Sequence, residues 1–232
     1  MKLSAFIKTM ALMLVLTVIT GQAGIRQAYA FNVESAFYKV ALLPAYNDYA
    51  PDYFIEASTE GAQAQAEKFI ADMGDNAIDF LGDDSLSMDQ KRDRFRKLLN
   101  KNFDMYTIGR FVLGRNWKNA SKAQQDEYQR LFKDLIVDIY SQRFNEYQGQ
   151  EFDVKGVQDV GKKDLLVTSY IVPDVGSKVK VDWRVRDKGG QMKIIDIVVE
   201  GVSMTVTQRS EFASIIQNGG GDIEVLLDHL RK

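Results

Sequence analysis

From Thr59 onward the chain shows two hydrophobic periods in turn, and their order predicts a fold class. Ala62, Ala66, Phe69, Ile70, Met73, Ala77 and Phe80 recur at helical spacing and stop at Gly82, as on an amphipathic helix. A second helix opens near Ser87, whose hydroxyl can cap it, and turns Phe95, Leu98, Leu99 and Phe103 inward. Its other face carries Lys91, Arg92, Arg94, Arg96, Lys97 and Lys101. A short segment from Met105 to Leu113 ends at Gly114. Ser121 and Gln124 then form a capping box for a long helix with Tyr128, Leu131, Phe132, Leu135, Ile136, Ile139, Phe144 and Tyr147 on one stripe, ending at Gly149.

Beyond Gly149 the period becomes two. Phe152 and Val154 begin one strand, and Leu165 to Val172 form another, stopped by Pro173-Asp174. Val179, Val181, Trp183 and Val185 alternate with Lys178, Lys180, Asp182, Arg184 and Arg186, the pattern of a half-buried antiparallel strand. Asp187-Lys188-Gly189-Gly190 turns the chain into a fourth strand, Met192 to Val199. Val206 to Gln217 and Ile223 to Leu230, the latter capped by Asp222, read as closing helices. Helices, a run of strands, then helices predict an α+β domain: a four-stranded antiparallel meander whose apolar face is covered by helices.

The first thirty residues follow a different rule. Lys2 and Lys8 precede an apolar or near-apolar run from Met10 to Ile19, and the stretch ends in Ala28-Tyr29-Ala30. That is the layout of a secretory signal peptide cleaved after Ala30; the run is too short for a bilayer core about 30 Å thick. Residues 31–60 form an aromatic-rich extension, with Phe31, Phe37, Tyr38, Tyr46, Tyr49, Tyr53 and Phe54, and residues 61–232 form the domain.

Composition removes whole classes of chemistry. There is no cysteine, so disulfides, cysteine nucleophiles and thiolate metal sites are excluded. The single histidine, His229, sits in the last turn of the closing helix, where it reads as structural. Loss of Lys2, Lys8 and Arg26 takes the formal charge from −2 to −5, against a nucleic-acid binder. Gly219-Gly220-Gly221 follows a helix and has no Lys-Ser/Thr after it, so it is a helix stop and not a phosphate loop. The remaining acid-base candidates are carboxylates: Asp83-Asp84, Asp89 and Asp93 near one loop, and Asp182 and Asp196 across neighbouring strands. Asp182 reads as a surface ion pair, and Asp196 as a partly buried partner for Arg184 or Arg186. A hydrolase built on Asp196 and Glu200 is the weaker alternative. On residues alone the chain is an exported binding or structural domain.

Specific strings sharpen this. Phe111-Val112-Leu113-Gly114-Arg115-Asn116-Trp117 is followed by Ala120-Ser121, Gln125, Glu127-Tyr128, Phe132 and Tyr147-Gln148-Gly149-Gln150. Glu200-Gly201-Val202-Ser203-Met204 and Gln208-Arg209-Ser210-Glu211-Phe212 come after the strands. Over residues 62–232 the chain resembles the MlaC family of periplasmic phospholipid-carrying proteins of the toluene-tolerance and Mla systems. Residues 31–60 depart from the family pattern. The resemblance implies an apolar pocket for acyl chains, no catalysis, no metal, and no cofactor beyond phospholipid as cargo. It also implies a periplasmic location and handover between an outer-membrane lipoprotein complex and an inner-membrane MCE-domain protein of an ABC transporter. For the pocket, the strand candidates are Val181, Trp183, Val185, Ile195 and Ile197; Ile194 and Val198 compete for the inward face of the fourth strand. The helix candidates are Val112, Leu113, Phe132, Ile136 and Tyr140. The competing function is an exported protein-interaction module without lipid.

Overall fold

The computed structural model describes residues 60–161 and 163–232. The signal peptide, its cleavage after Ala30 and the 31–60 extension, except its last residue, lie outside the described residues. The described elements are helices α1 (Glu60–Leu81), α2 (Met88–Asn102), α3 (Met105–Leu113), α4 (Asn116–Asn119) and α5 (Lys122–Ser141). A 3-10 turn (Phe144–Glu146) follows, then strands β1 (Glu151–Val160), β2 (Asp164–Val172), β3 (Val179–Asp187), β4 (Met192–Val199) and β5 (Val202–Ser203), and helices α6 (Met204–Asn218) and α7 (Ile223–Leu230). The strands form one antiparallel sheet in the order β1-β2-β3-β4-β5, the predicted α+β meander with one strand more.

The extra strand comes from a tight turn. Glu200 and Gly201 both take positive φ, 49° and 83°, as a two-residue hairpin loop between twisted strands requires. The loop is tied back to β3: Glu200 N–H donates to the Lys180 carbonyl at 3.0 Å, and its Oε1 accepts from the Lys180 N–H at 2.6 Å. Val202 and Ser203 pair with Val199 and Val198, and Ser203 at once caps α6 by accepting from the Val206 N–H. The string Glu200 to Met204 is thus a hairpin fused to a helix cap.

Local capping follows the sequence. The Ser121–Gln124 capping box forms, the Ser87 cap proves to be a capping box with Gln90, and Asp222 accepts from the Glu224 N–H at 2.9 Å. Gly114 ends α3 at φ 59°, ψ −131°, a region closed to residues with a Cβ. A Cβ there would lie 2.9 Å from Arg209 Nε, and the Arg209 guanidinium lies over the Phe111 ring. Gly114 and Arg209 therefore lock α3 to α6.

The long helix stops earlier than its stripe predicts. At 100° per residue Phe144 points about 160° away from Tyr128, so it cannot join the core that α5 makes with α3, α6 and α7. The chain instead turns after Ser141 and inserts Phe144 between Phe80 and Phe95, at ring-centroid distances of 6.0 and 5.4 Å.

Two cores result. One is helical and gathers Val112, Leu113, Trp117, Tyr128, Phe132, Phe212 and Leu227 from α3 to α7. The other lies between α1, α2 and the sheet, with Ile70, Phe80, Leu98, Leu165, Val167, Val185 and Ile194 at its centre. Gly74 is buried in it: a Cβ there would stand 2.2 Å from Phe152 Cδ1, so the backbone of α1 rests directly on the Phe152 ring.

The competition on β4 is settled by a bulge. Val181 faces Val199 and Trp183 faces Ile197, but Val185 faces Ile194, leaving Ile195 unopposed. One extra residue reverses which side chains point inward beyond it. Ile197 and Ile194 both reach the apolar face, Ile194 with no exposed surface. Ile194→Ala is expected to cost about 3 kcal/mol of unfolding free energy and Ile195→Ala about 1 kcal/mol, measured by urea denaturation.

Candidate functional site

The apolar face of the sheet divides into two halves. Near the β3–β4 turn, Leu165, Val167, Val185 and Ile194 are fully covered by α1 and α2. Near the β2–β3 turn, Val179, Val181 and Val199 form a separate cluster with Ile171, Trp183, Ile197 and Met204. Met204, the first residue of α6, is the one helical side chain of that cluster among the described residues.

Trp183 joins the halves. Its ring meets Phe152 edge-on at 6.0 Å, and its indole Nε1–H donates to Ser169 Oγ at 2.8 Å. Ser169 has no exposed surface and donates on to the Val181 carbonyl at 3.2 Å. The polar end of the indole is therefore satisfied inside the sheet, leaving an apolar ring presented to the face. Phe152 pairs with Ile171 across β1 and β2, so a half-buried strip of Phe152, Ile171, Trp183, Ile197 and Met204 runs across five elements. Sequence reasoning omitted Phe152, Ile171 and Met204 from the candidates. The register of β1 on β2 brings the first two in, and the hairpin–cap junction brings the third.

The ten candidate positions do not converge. Val181, Trp183, Val185 and Ile197 share the apolar sheet face, and Ile195 sits at the bulge. Val112, Leu113 and Phe132 are interior to the helical core, with Ile136 packed against it. Tyr140 stands apart on Phe95, ring centroids 6.1 Å apart, and burial pushes its phenol up to about 12.

The opposite face of the sheet is polar and nonetheless buried. Asp164, Asp182 and Asp196 are each 5% exposed. Asp164 receives both arginines: Arg184 Nε at 2.7 Å, and Arg186 Nε and Nη2 at 2.5 and 3.0 Å. Asp182, expected at the surface, accepts from Thr168 Oγ1 at 2.6 Å and pairs with Lys180 at 2.9 Å. Asp196, expected to take an arginine, instead holds the start of α6, accepting from Ser203 Oγ at 2.6 Å and the Thr205 N–H at 3.2 Å. The junction brings these donors to Asp196, which also faces Arg184 across β3 and β4, while Asp164, opposite Arg186, takes both guanidiniums. Each of these carboxylates is held by hydrogen bonds or ion pairs to its neighbours. Glu200 is likewise held by the Lys180 backbone. Among the described residues no group of three or more metal-ligating side chains gathers, and no helix is long and apolar enough to cross a membrane.

A groove of about 380 Å³ lies between α2, α3 and α5, away from the sheet. Arg96, Asp126, Arg130, Lys133 and Asp134 rim it over Leu99, Met105 and Val137, and Arg96 is already paired with Asp134 at 2.6 Å. Its charged rim is unsuited to acyl chains.

A meander sheet whose apolar face packs in two clusters, one under α1 and α2 and one against Met204 of α6, and whose opposite face carries mutually satisfied charges, makes this an α+β domain. The profile of the MlaC protein family matches residues 71–232, and the chain belongs to that family. It is 25% identical over 118 residues to the intermembrane phospholipid transport system binding protein MlaC of Haemophilus influenzae, covering 49% of this chain and 55% of that one. It is 23% identical over 111 residues to the toluene tolerance protein ttg2D of Pseudomonas putida, covering 48% and 52%. The chain thus spans about half the length of these curated relatives. A solved phospholipid-binding protein from Ralstonia solanacearum, in complex with a phospholipid, shares the fold with a TM-score of 0.62 at 23% identity, covering 72% of this chain and 94% of that one.

Two carboxyls give the domain a pH signature. Burial raises Asp196 above its ordinary range against its hydrogen bonds from Ser203, Thr205 and Ile197. Burial also raises Glu211 on α6 from 4.5 to about 7, opposed by the hydrogen bond from Gln208. A carboxyl whose folded pKa is raised binds protons more tightly folded than unfolded, so its contribution falls as pH rises between the two values. Urea midpoints are expected to show Glu211 lowering stability progressively from about pH 4.5 to about pH 7, and Glu211→Gln to remove that slope.

Proposed function

We propose that this protein is a periplasmic phospholipid carrier that holds acyl chains against the apolar sheet face around Trp183 and passes lipid between outer- and inner-membrane complexes. The observation that carries the reading is the half-buried strip of Phe152, Ile171, Trp183, Ile197 and Met204. The relatives support it: one is named as a phospholipid transport binding protein, and a protein of the same fold was solved with a phospholipid.

The physics of such a task suits this face. Each methylene exposed to water costs about 0.8 kcal/mol, so two long chains cost on the order of 20 kcal/mol outside a bilayer. A carrier offsets this with apolar area and few polar groups, and the strip's one buried polar pair, Trp183 with Ser169, is internally satisfied. Lipid selection then rests on chain number and on the rim. The handover partners are an MCE-domain protein of an ABC transporter and an outer-membrane lipoprotein complex. No catalytic step is assigned, since the buried carboxylates are structural.

The sheet-side placement of cargo departs from the candidates on α3 and α5. The chain has two tryptophans: Trp183 on the sheet, and Trp117 in the helical core at 8% exposure. Phospholipid with brominated acyl chains is expected to quench at least half the emission of Trp183, measured in Trp117→Phe protein. The remaining tryptophan of Trp183→Phe protein is expected to stay unquenched. Quenching of Trp117 alone would move the cargo into the helical core, and quenching of neither would remove the reading.

A further inference from the structure

The groove between α2, α3 and α5 has no part in carrying acyl chains, and it contains a buried polar side chain that is half satisfied. Gln129 is 8% exposed and lines the groove. Its Nε2 donates to the Tyr106 carbonyl at 3.1 Å, but its buried Oε1 accepts from nothing, the one such side-chain atom among the described residues. A buried acceptor without a donor costs free energy that an incoming donor recovers. The amide meets α3 at Gly109, which has no side chain to offer and where a Cβ would stand 2.8 Å from Oε1. The donor is left to come from the groove.

The charges around this amide are uneven. Asp126, Gln129, Arg130, Lys133, Asp134 and Val137 follow one another at one-, three- and four-residue steps, so they share a face of α5. Both aspartates are engaged, Asp126 by Lys122 and Asp134 by Arg96 at 2.6 Å. The two cations are not. Arg130 comes no nearer than 3.9 Å to Glu127, whose carboxylate Arg231 grips through two bonds of 2.9 Å. Lys133 has no anionic partner among the described residues. Two positive charges therefore border a groove of about 380 Å³ floored by Leu99, Met105 and Val137, and apolar walls strengthen their field.

We infer that this groove binds a small phosphate monoester of a polyol, its phosphate on Arg130 and Lys133 and a hydroxyl donating to Gln129 Oε1. A phosphate monoester carries about −1.5 to −2 at neutral pH, which matches two cations. A carboxylate or a phosphodiester headgroup, with one charge, leaves a cation unmatched, and a dianion without a hydroxyl leaves Oε1 orphaned. The volume falls at the small end of the roughly 300–1,000 Å³ usual for small-molecule sites. Such a ligand is independent of any acyl cargo on the sheet.

Isothermal titration of the purified full chain with glycerol 3-phosphate, sulfate and glycerol separates the two requirements. Sulfate has the charge without the donor, and glycerol the donor without the charge. Glycerol 3-phosphate is expected to bind one per chain, about tenfold or more tighter than either. Arg130→Met and Lys133→Met are each expected to weaken both anions about fivefold or more, with an unshifted thermal midpoint. Gln129→Met is expected to bring glycerol 3-phosphate down to the level of sulfate and leave sulfate unchanged, which also shows that the groove still forms. Equal affinity for glycerol 3-phosphate and sulfate overturns the inference, as does an equal loss of both in Gln129→Met or no binding of any of the three. Glycerophosphoglycerol, a diester, is expected to bind more weakly; equal or tighter binding would make this a lipid-headgroup site and overturn the choice of a monoester.

Discussion

The sheet is the element on which every other part depends, because its two faces make opposite demands. One face is a continuous field of Val, Ile, Trp and Phe side chains, and the other is a row of buried charges. Strict alternation along β3 produces both, since each apolar residue has a charged neighbour on either side. A slip of one residue would turn aspartates and arginines onto the apolar face. Register is therefore fixed by large energies on both sides. The Asp164 fork with Arg184 and Arg186 ties β2 to β3 on the charged side, and Trp183 bonded to Ser169 ties the same strands on the other.

On that charged face each buried carboxylate is held by partners. A buried charge without a partner costs several kcal/mol, and each of the three buried aspartates has hydrogen-bond donors. Burial and the neighbouring Arg186 charge lower Arg184, and the Asp196 carboxylate opposes them. Asp196, opposite Arg184 across β3 and β4, takes the Ser203 hydroxyl and the Thr205 N–H at the start of α6. The result fastens the start of α6 to the sheet.

Local chemistry was legible in the sequence, and geometry between elements was not. The Ser87 cap, the Ser121 capping box, the Asp222 cap and the alternation of β3 depend on residues close in sequence, and all formed. Ile195 sits at a bulge, and a bulge is a relation between two strands: β4 alone shows Ile194, Ile195 and Ile197 as equals. Phe144 was read into α5 because it lies near enough to the stripe by eye, although the helical angle carries it to the other side. The helix candidates for the pocket failed to converge with the strand candidates for a similar reason. Val112, Leu113 and Phe132 are apolar and inward, but two cores exist, and periodicity does not say which one a stripe faces.

The central claim is that the apolar face around Trp183 carries phospholipid. Native mass spectrometry of the purified full chain, with lipid extracted from the same sample, tests it most directly. The account predicts a bound mass corresponding to about one phospholipid per chain. A lipid-free protein that also takes up no phospholipid from vesicles would contradict it and leave an exported protein-interaction module.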